Sequence, residues 1–360
     1  MRCCPNFLGG KEMKRVLALI VSLATLLCLA ACGGGGSGSN SGSGDTDKVY
    51  NLTFSMHTPA DTPVGRHFQA MFDEIEEKTD GHVKITLHGS GTLAAAADVV
   101  DMVADGGCDM GWVFTSFYYG QFPLTDVLTL MGNNPQSCVQ GTEVLYNLYH
   151  EFDEVAAEWS NFKVLQMHVN PVNYIYTSTN PATLADVTKM SVRAPSGACA
   201  SVMGNLGLNV ISMAPNDIYD NLSKGNIQGY IIENTAVTDY SLNEVTKYVV
   251  NVPLNQGPFA VIMNQKTYDS LPAEYQAVID EYTTLDACKA IAQVWEDQAA
   301  ESGEKLLENA VLVDWSAEDV AAFNAASDAY DEAWVDEHSS DSFDAQKLLD
   351  RCHELYAEIG

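Results

Sequence analysis

Positive charge is what this sequence has least of. Its 360 residues carry 18 lysines and arginines against 48 aspartates and glutamates, a net charge of −30. So acidic a chain excludes nucleic acid as a partner and adsorption to anionic lipid as a mode of action. Also missing are a Cys-x-x-Cys spacing, a G-x-S-x-G elbow, an H-E-x-x-H helix and a phosphate-binding glycine loop. Their absence removes the usual signatures of zinc sites, serine hydrolases, metalloproteases and nucleotide enzymes. His150-Glu151 and His353-Glu354 lack a second histidine at metal spacing. Paired acids such as Glu76-Glu77 arise by chance on solvated faces of a chain this acidic. No catalytic residue, metal or cofactor is expected. Past the first thirty residues no apolar run is long enough to span a bilayer.

What is present begins with an address. Lys14 and Arg15 precede an almost wholly apolar run, 16–29, that ends in Leu29-Ala30-Ala31-Cys32. A run that short, followed by small residues, reads as a cleaved signal segment. A cysteine directly after Leu-Ala-Ala resembles the bacterial lipobox, which implies lipidation at Cys32 and an anchor on the extracytoplasmic side of the cell membrane. Met13 looks a more natural start than Met1. Residues 33–47 are dominated by glycine and serine and bury too little to offset their ordering entropy, so a tether is expected. Removing 1–31 leaves 14 basic against 47 acidic side chains, a net charge of −33. Five cysteines remain (Cys108, Cys138, Cys199, Cys288 and Cys352), scattered and odd in number, and mostly free buried thiols are expected.

The remaining three hundred or so residues suffice for two lobes. Alternating apolar residues predict strands at 50–56, 83–87 and 109–114. Between them, Asp61-Thr62-Pro63 starts a helix whose Val64, Phe68, Met71, Phe72 and Ile75 share one face, and 94–104 forms another. Strand, helix and strand in such quick succession predict an α/β lobe with a largely parallel sheet. The pattern returns with strands at 162–169, 174–177, 190–194, 209–213, 226–232 and 247–252, interleaved with helices at 197–206 and 217–222. A strand at 259–263, a long helical region over 272–309, a strand at 311–315 and two final helices complete the chain. The expected division is 48–170 with about 254–300 as one lobe, and 171–253 with about 301–360 as the other.

From Leu52 onward the punctuation is specific. Glu76-Glu77-Lys78-Thr79-Asp80-Gly81, Gly91-Thr92-Leu93, Asp105-Gly106-Gly107-Cys108-Asp109-Met110, Phe122-Pro123-Leu124-Thr125-Asp126-Val127, Val192-Arg193-Ala194-Pro195 and Leu271-Pro272-Ala273-Glu274-Tyr275-Gln276 follow in that order. In residue type and spacing over about two hundred and forty residues they resemble the DctP family, the solute-binding proteins of TRAP transporters. The resemblance implies a periplasmic-binding-protein-like α/β fold, with two lobes about an interlobe cleft and long C-terminal bracing helices. It also implies a small organic-acid ligand and a membrane permease as partner; a monomer is expected. The alternative is an ABC-type solute-binding lipoprotein, which shares the lobe-and-cleft plan.

The body holds only three arginines, Arg66, Arg193 and Arg351, so an anion site must be local. The resemblance places Arg193 where the family has its carboxylate-clamping arginine. A guanidinium offers a planar fork of donors matched to both carboxylate oxygens, and it keeps its charge. The competing reading is an arginine salt-bridged to a nearby acid. Many family members carry a second arginine about twenty residues earlier, where this chain has Asn173, so a dicarboxylate gripped by two arginines is disfavoured. At the family's ligand-touching asparagine an ungapped match gives Ile232; a two-residue shift brings Glu233-Asn234 into play. Trp112 and Phe114 belong to the third strand and Tyr118 follows it; that strand's end lines the cleft in the family, and these three with Tyr174 are candidates for an apolar wall or for ordinary core. His57 lies after the first strand, where family loops reach the cleft.

Overall fold

The computed structural model describes residues 48–195 and 197–359. The signal segment 1–32 with Cys32, and the tether 33–47, lie outside the described residues.

Alternation builds the first strand, β1 (Tyr50–Ser55), which buries Leu52 and Phe54. Helix α1 (Pro63–Lys78) follows because Thr62 caps it, its hydroxyl accepting the Gly65 N–H at 3.1 Å, and Pro63 presets the first turn. The helix buries Val64, Phe68, Met71, Phe72 and Ile75, each contributing roughly 1.5–3 kcal/mol by removal from water. The chain then turns through Asp80 and Gly81, both at positive φ. Strand β2 (Val83–His88) pairs parallel with β1, helix α2 occupies Val99–Ala104, and β3 (Met110–Phe114) joins β1 in parallel on its other side. Residues 94–98, predicted helical, are irregular and turn.

A capped helix, α3 (Cys138–Glu151), occupies a region to which the sequence reading assigned no element; Ser137 accepts the Gln140 N–H. Strand β4 (Phe162–Val169) leads out of this lobe. The second sheet comprises β5 (Asn173–Thr177), β6 (Ser191–Arg193), β7 (Asn209–Ile211), β8 (Gly229–Glu233) and β9 (Tyr248–Val250). Strand β10 (Pro258–Asn264) returns to the first sheet, and β11 (Val311–Val313) closes the second. The orders are β2-β1-β3-β10-β4 and β11-β9-β5-β8-β6-β7. The expectation of a largely parallel first sheet therefore holds only for β2-β1-β3. Strand β10 arrives from the second lobe and enters antiparallel between β3 and β4.

The lobes are joined where 170–172 and 251–257 cross side by side. Asn170 N–H donates to Gly257 O, Asn173 N–H to Asn255 O and Leu254 N–H to Asn173 O. Helix α4 (Leu285–Leu307) is a third bridge. Thr284 caps it, Ile291 and Trp295 lie in the first lobe's core, and Leu306 lies in the second's. Its 23 residues reach about 34 Å. Helix α5 (Ala317–His338) runs back, placing Phe323 in the second lobe's core and Trp334 in the first's. The last helix, α6 (Ala345–Glu358), corrects the expected division. Its apolar stripe of Leu348, Leu349, Cys352, Leu355 and Tyr356 packs into the first lobe, not the second. The reason is reach: α5 is long enough to return the chain before α6 begins. The five described cysteines are free and buried, and no described helix is long and apolar enough to cross a membrane.

Candidate functional site

A cavity of about 450 Å³ lies between the two sheets and is open to solvent on one side. Its second-lobe wall starts from the ends of three adjacent strands. Strand β6 pairs with β8 so that Arg193 lies opposite Tyr230, and β8 pairs with β5 so that Glu233 lies opposite Asn173. Side chains at directly paired positions emerge on the same face of a sheet, so Glu233 and Asn173 stand together; Arg193 pairs three residues away, opposite Tyr230, and its guanidinium extends to Ile231 O.

Arg193 is only 7 % exposed and belongs to the cavity wall. Two backbone carbonyls hold its guanidinium: Nε donates to Met213 O at 3.2 Å and one terminal N–H to Ile231 O at 2.8 Å. Among the described residues no carboxylate lies within 4.0 Å of it, so the salt-bridged reading does not apply. Burial draws its pKa down, while Cys199 and Glu233 nearby hold it up. Glu233 also lines the cavity, and burial raises its carboxyl above the usual range. Asn173 lines it too, but its amide donates to Asn255 Oδ1 at 3.0 Å, so its N–H serves the crossing between lobes.

The first-lobe wall is aromatic. His57 stacks on Trp112 at 4.8 Å with planes 10° apart and meets Phe117 edge-on at 5.4 Å. Burial pushes its pKa down to about 4, so the imidazole is neutral near pH 7. Trp112 is 1 % exposed and donates through Nε1 to His168 Nε2 at 2.9 Å. It supports the wall from behind His57. Phe114 stacks on Phe259 at 4.4 Å. That ring lies against Gly257, where a Cβ would overlap it, so the crossing approaches the wall as closely as it does only with glycine there.

Three sequence candidates lie elsewhere. Tyr118 is core: its hydroxyl donates to Ala96 O at 2.6 Å and accepts from Val100 N–H. Tyr174 alternates with Asn173 along β5 and packs with the Tyr176 and Ile232 cluster on the opposite face. Asn234 follows the end of β8 and opens a short helix beneath α4, where its amide oxygen accepts from Tyr176 Oη and its side chain approaches Gly303. Conversely, the sequence reading did not single out Phe117, Phe259, Trp295, Tyr240 or Asp126, all of which line the cavity. Phe117 was legible as an aromatic beside the third strand; the others carry no local mark. No cluster of metal-ligating side chains occurs among the described residues.

Comparison with known proteins agrees with this architecture. Residues 54–337 match the family model DctP, bacterial extracellular solute-binding protein, family 7. A solute-binding protein of Chromohalobacter salexigens is 23 % identical over 296 residues, covering 79 % of this chain and 84 % of the relative. A marine-metagenome TRAP solute-binding protein specific for aromatic acid ligands, solved with metahydroxyphenylacetate, superimposes with a TM-score of 0.79. It is 22 % identical, covering 86 % of this chain and 99 % of that one. A TRAP solute-binding protein of Rhodoferax ferrireducens, in complex with benzoate, gives 0.78 at 20 % identity, covering 86 % and 98 %. The family match decides between the two transporter classes considered from sequence, in favour of the TRAP type over the ABC type. This chain, with its paired sheets, crossing strands and interlobe cavity, belongs to the DctP family of bacterial extracellular solute-binding proteins, family 7.

Proposed function

We propose that this chain is the solute receptor of a TRAP-type transporter, held outside the cytoplasmic membrane by a lipid on Cys32. It captures a small organic acid in the interlobe cavity and delivers it, as a monomer, to a membrane permease. It is a binding protein without catalytic turnover, as its family is. Arg193 carries the reading: a buried guanidinium, oriented by two backbone carbonyls and without an ion-pair partner among the described residues, lines a cavity with apolar walls. A carboxylate docked there replaces lost water with charge-assisted hydrogen bonds. The aromatic wall of His57, Phe114 and Phe117 suits a flat apolar body. The benzoate and hydroxyphenylacetate held by the two solved relatives are acids of that shape. Closure of the lobes about the 170–173 and 251–257 crossings would seal the acid from water.

The test is a thermal-shift and calorimetric screen of organic acids, aromatic and 2-oxo acids included. A ligand bound only by the folded form raises the melting temperature. Arg193→Ala is expected to weaken every hit by about 100-fold or more, and Arg193→Lys to recover little of it. Full affinity in the alanine variant refutes the assignment.

A further inference from the structure

The charges around the cavity do not suit a simple anion. Its ionisable lining comprises Arg193, Glu233, Asp239, Asp126, Glu337, His57 and His338, besides tyrosines. His57 is neutral near pH 7, so beside His338 a single guanidinium faces four carboxyl groups. Glu337 and Asp239 are exposed toward the mouth, while Glu233 sits on the same wall as Arg193.

Glu233 and Arg193 influence each other electrostatically, yet they form no ion pair within 4.0 Å. Were Glu233 the structural counterion of Arg193, contact would be required, because two buried charges held apart forfeit most of the attraction that offsets their desolvation. Instead the register places them on neighbouring strands, with Glu233 opposite Asn173 at the end of β8 and Arg193 ending β6. The Arg193 guanidinium itself reaches Ile231 O at 2.8 Å, two residues before Glu233 on β8, and that two-residue rise of about 6.6 Å sets the scale of the separation. A ligand with a carboxylate and an ammonium on one carbon can bridge that gap. No lysine, arginine or histidine nitrogen among the described residues lies within 4.0 Å of Glu233.

We infer that the ligand is zwitterionic, an aromatic α-amino acid whose carboxylate docks on Arg193 and whose ammonium docks on Glu233. This rests on the carboxylate reading of Arg193 and names the ligand class of that same cavity. A plain monocarboxylate would leave Glu233 desolvated beside a second negative charge when the lobes close. Glu233 already has a hydrogen bond from the Asn170 side chain but no opposite charge; the amino acid supplies one, and its ring takes the wall formed by His57, Phe114 and Phe117.

Three matched pairs test the inference by calorimetry on the full mature chain at pH 7.5: phenylalanine, tyrosine and tryptophan, each against its 3-arylpropanoate lacking only the amine. At least one amino acid is expected to bind about 10–100-fold tighter than its partner, the range of one charge-assisted contact. Glu233→Gln, which keeps the shape and removes the charge, is expected to erase that preference while arylpropanoate affinity holds or improves. Equal or tighter binding of the arylpropanoates by the parent chain overturns the inference, and so does a preference that survives Glu233→Gln. Failure of all six to bind below about 1 mM also overturns it. In each of these cases Arg193 is judged separately, by the acid screen with Arg193→Ala.

Discussion

Asp126 shows how a single side chain can be held against its own solvation. It follows Thr125 in a short 3₁₀ segment at the cavity wall, and its Oδ1 is buried without a hydrogen-bond partner. Burial pushes its pKa up to about 7, and Glu158 adds repulsion. Glu158 itself accepts from Leu124 N–H, Thr125 N–H and Thr125 Oγ1, so its charge is spent on the loop. Because the folded pKa exceeds the unfolded one, protonated Asp126 is tolerated at low pH and its folding contribution is lost as pH rises through 7. His57 and His168, lowered to about 4 and about 3, act with the opposite slope, losing stability as pH falls below 6.5. Asp126→Asn isolates the first effect. Urea unfolding should show the variant equal to the parent near pH 4 and more stable by roughly 1–4 kcal/mol at pH 8.5. Equal stability at both pH values contradicts the assignment.

At the scale of elements, the start of α1 depends on two close fits. Thr62 caps it, and Gly65 lies so near the carbonyl of Ala60 that a Cβ there would overlap backbone oxygen and carbon. The obstacle is backbone, so a side-chain rotation cannot relieve it. Gly65→Ala is expected to destabilise the fold by about 1–3 kcal/mol, against about 1 kcal/mol for Thr62→Ala, both read as shifts in urea midpoint. A Gly65→Ala variant as stable as the parent would show that the preceding loop yields freely. Helix α4 illustrates a different principle. Its buried residues Cys288, Ile291, Ala292, Trp295, Ala299, Ser302 and Leu306 follow one helical stripe. That stripe touches both lobes in turn, and the Ser302 hydroxyl meets Thr238 Oγ1 at 2.7 Å on the second. A single rigid rod spanning the cavity ties the positions of Trp295 and Leu306 together.

For the whole molecule, the acidic surface and the local cation are two parts of one arrangement. A net charge of −33 beyond residue 31 keeps the body from adsorbing to anionic lipid, so the proposed lipid on Cys32 is what would hold it at a membrane. Expressed in a bacterial host, the full chain is expected to enter the detergent phase on phase partition, and Cys32→Ser to move it to the aqueous phase. A serine variant that still partitions with detergent would place the anchor elsewhere. The same net charge repels anionic solutes at long range, so recognition of an anion has to be short-range and geometric, the part proposed for the enclosed Arg193.

Much of this was legible in the residues alone. Alternation and capping placed β1, α1, β2, β3 and β4 to within a residue or two, because those signals reside in neighbouring positions. The order of short blocks around Phe122, Arg193 and Leu271 carried the family. Arg193 stood out because so few arginines remain in the body. Tertiary structure alone decided that Tyr118, Tyr174 and Asn234 turn away from the cavity: Tyr174 because one step along a strand reverses a side chain's face, Tyr118 and Asn234 because each follows the end of a strand and packs inward. It also decided that Phe259 and Trp295 complete a wall begun by His57, that β10 runs antiparallel, and that α6 returns to the first lobe. A cavity gathers side chains from segments far apart in the chain, and no local periodicity encodes which of them will meet.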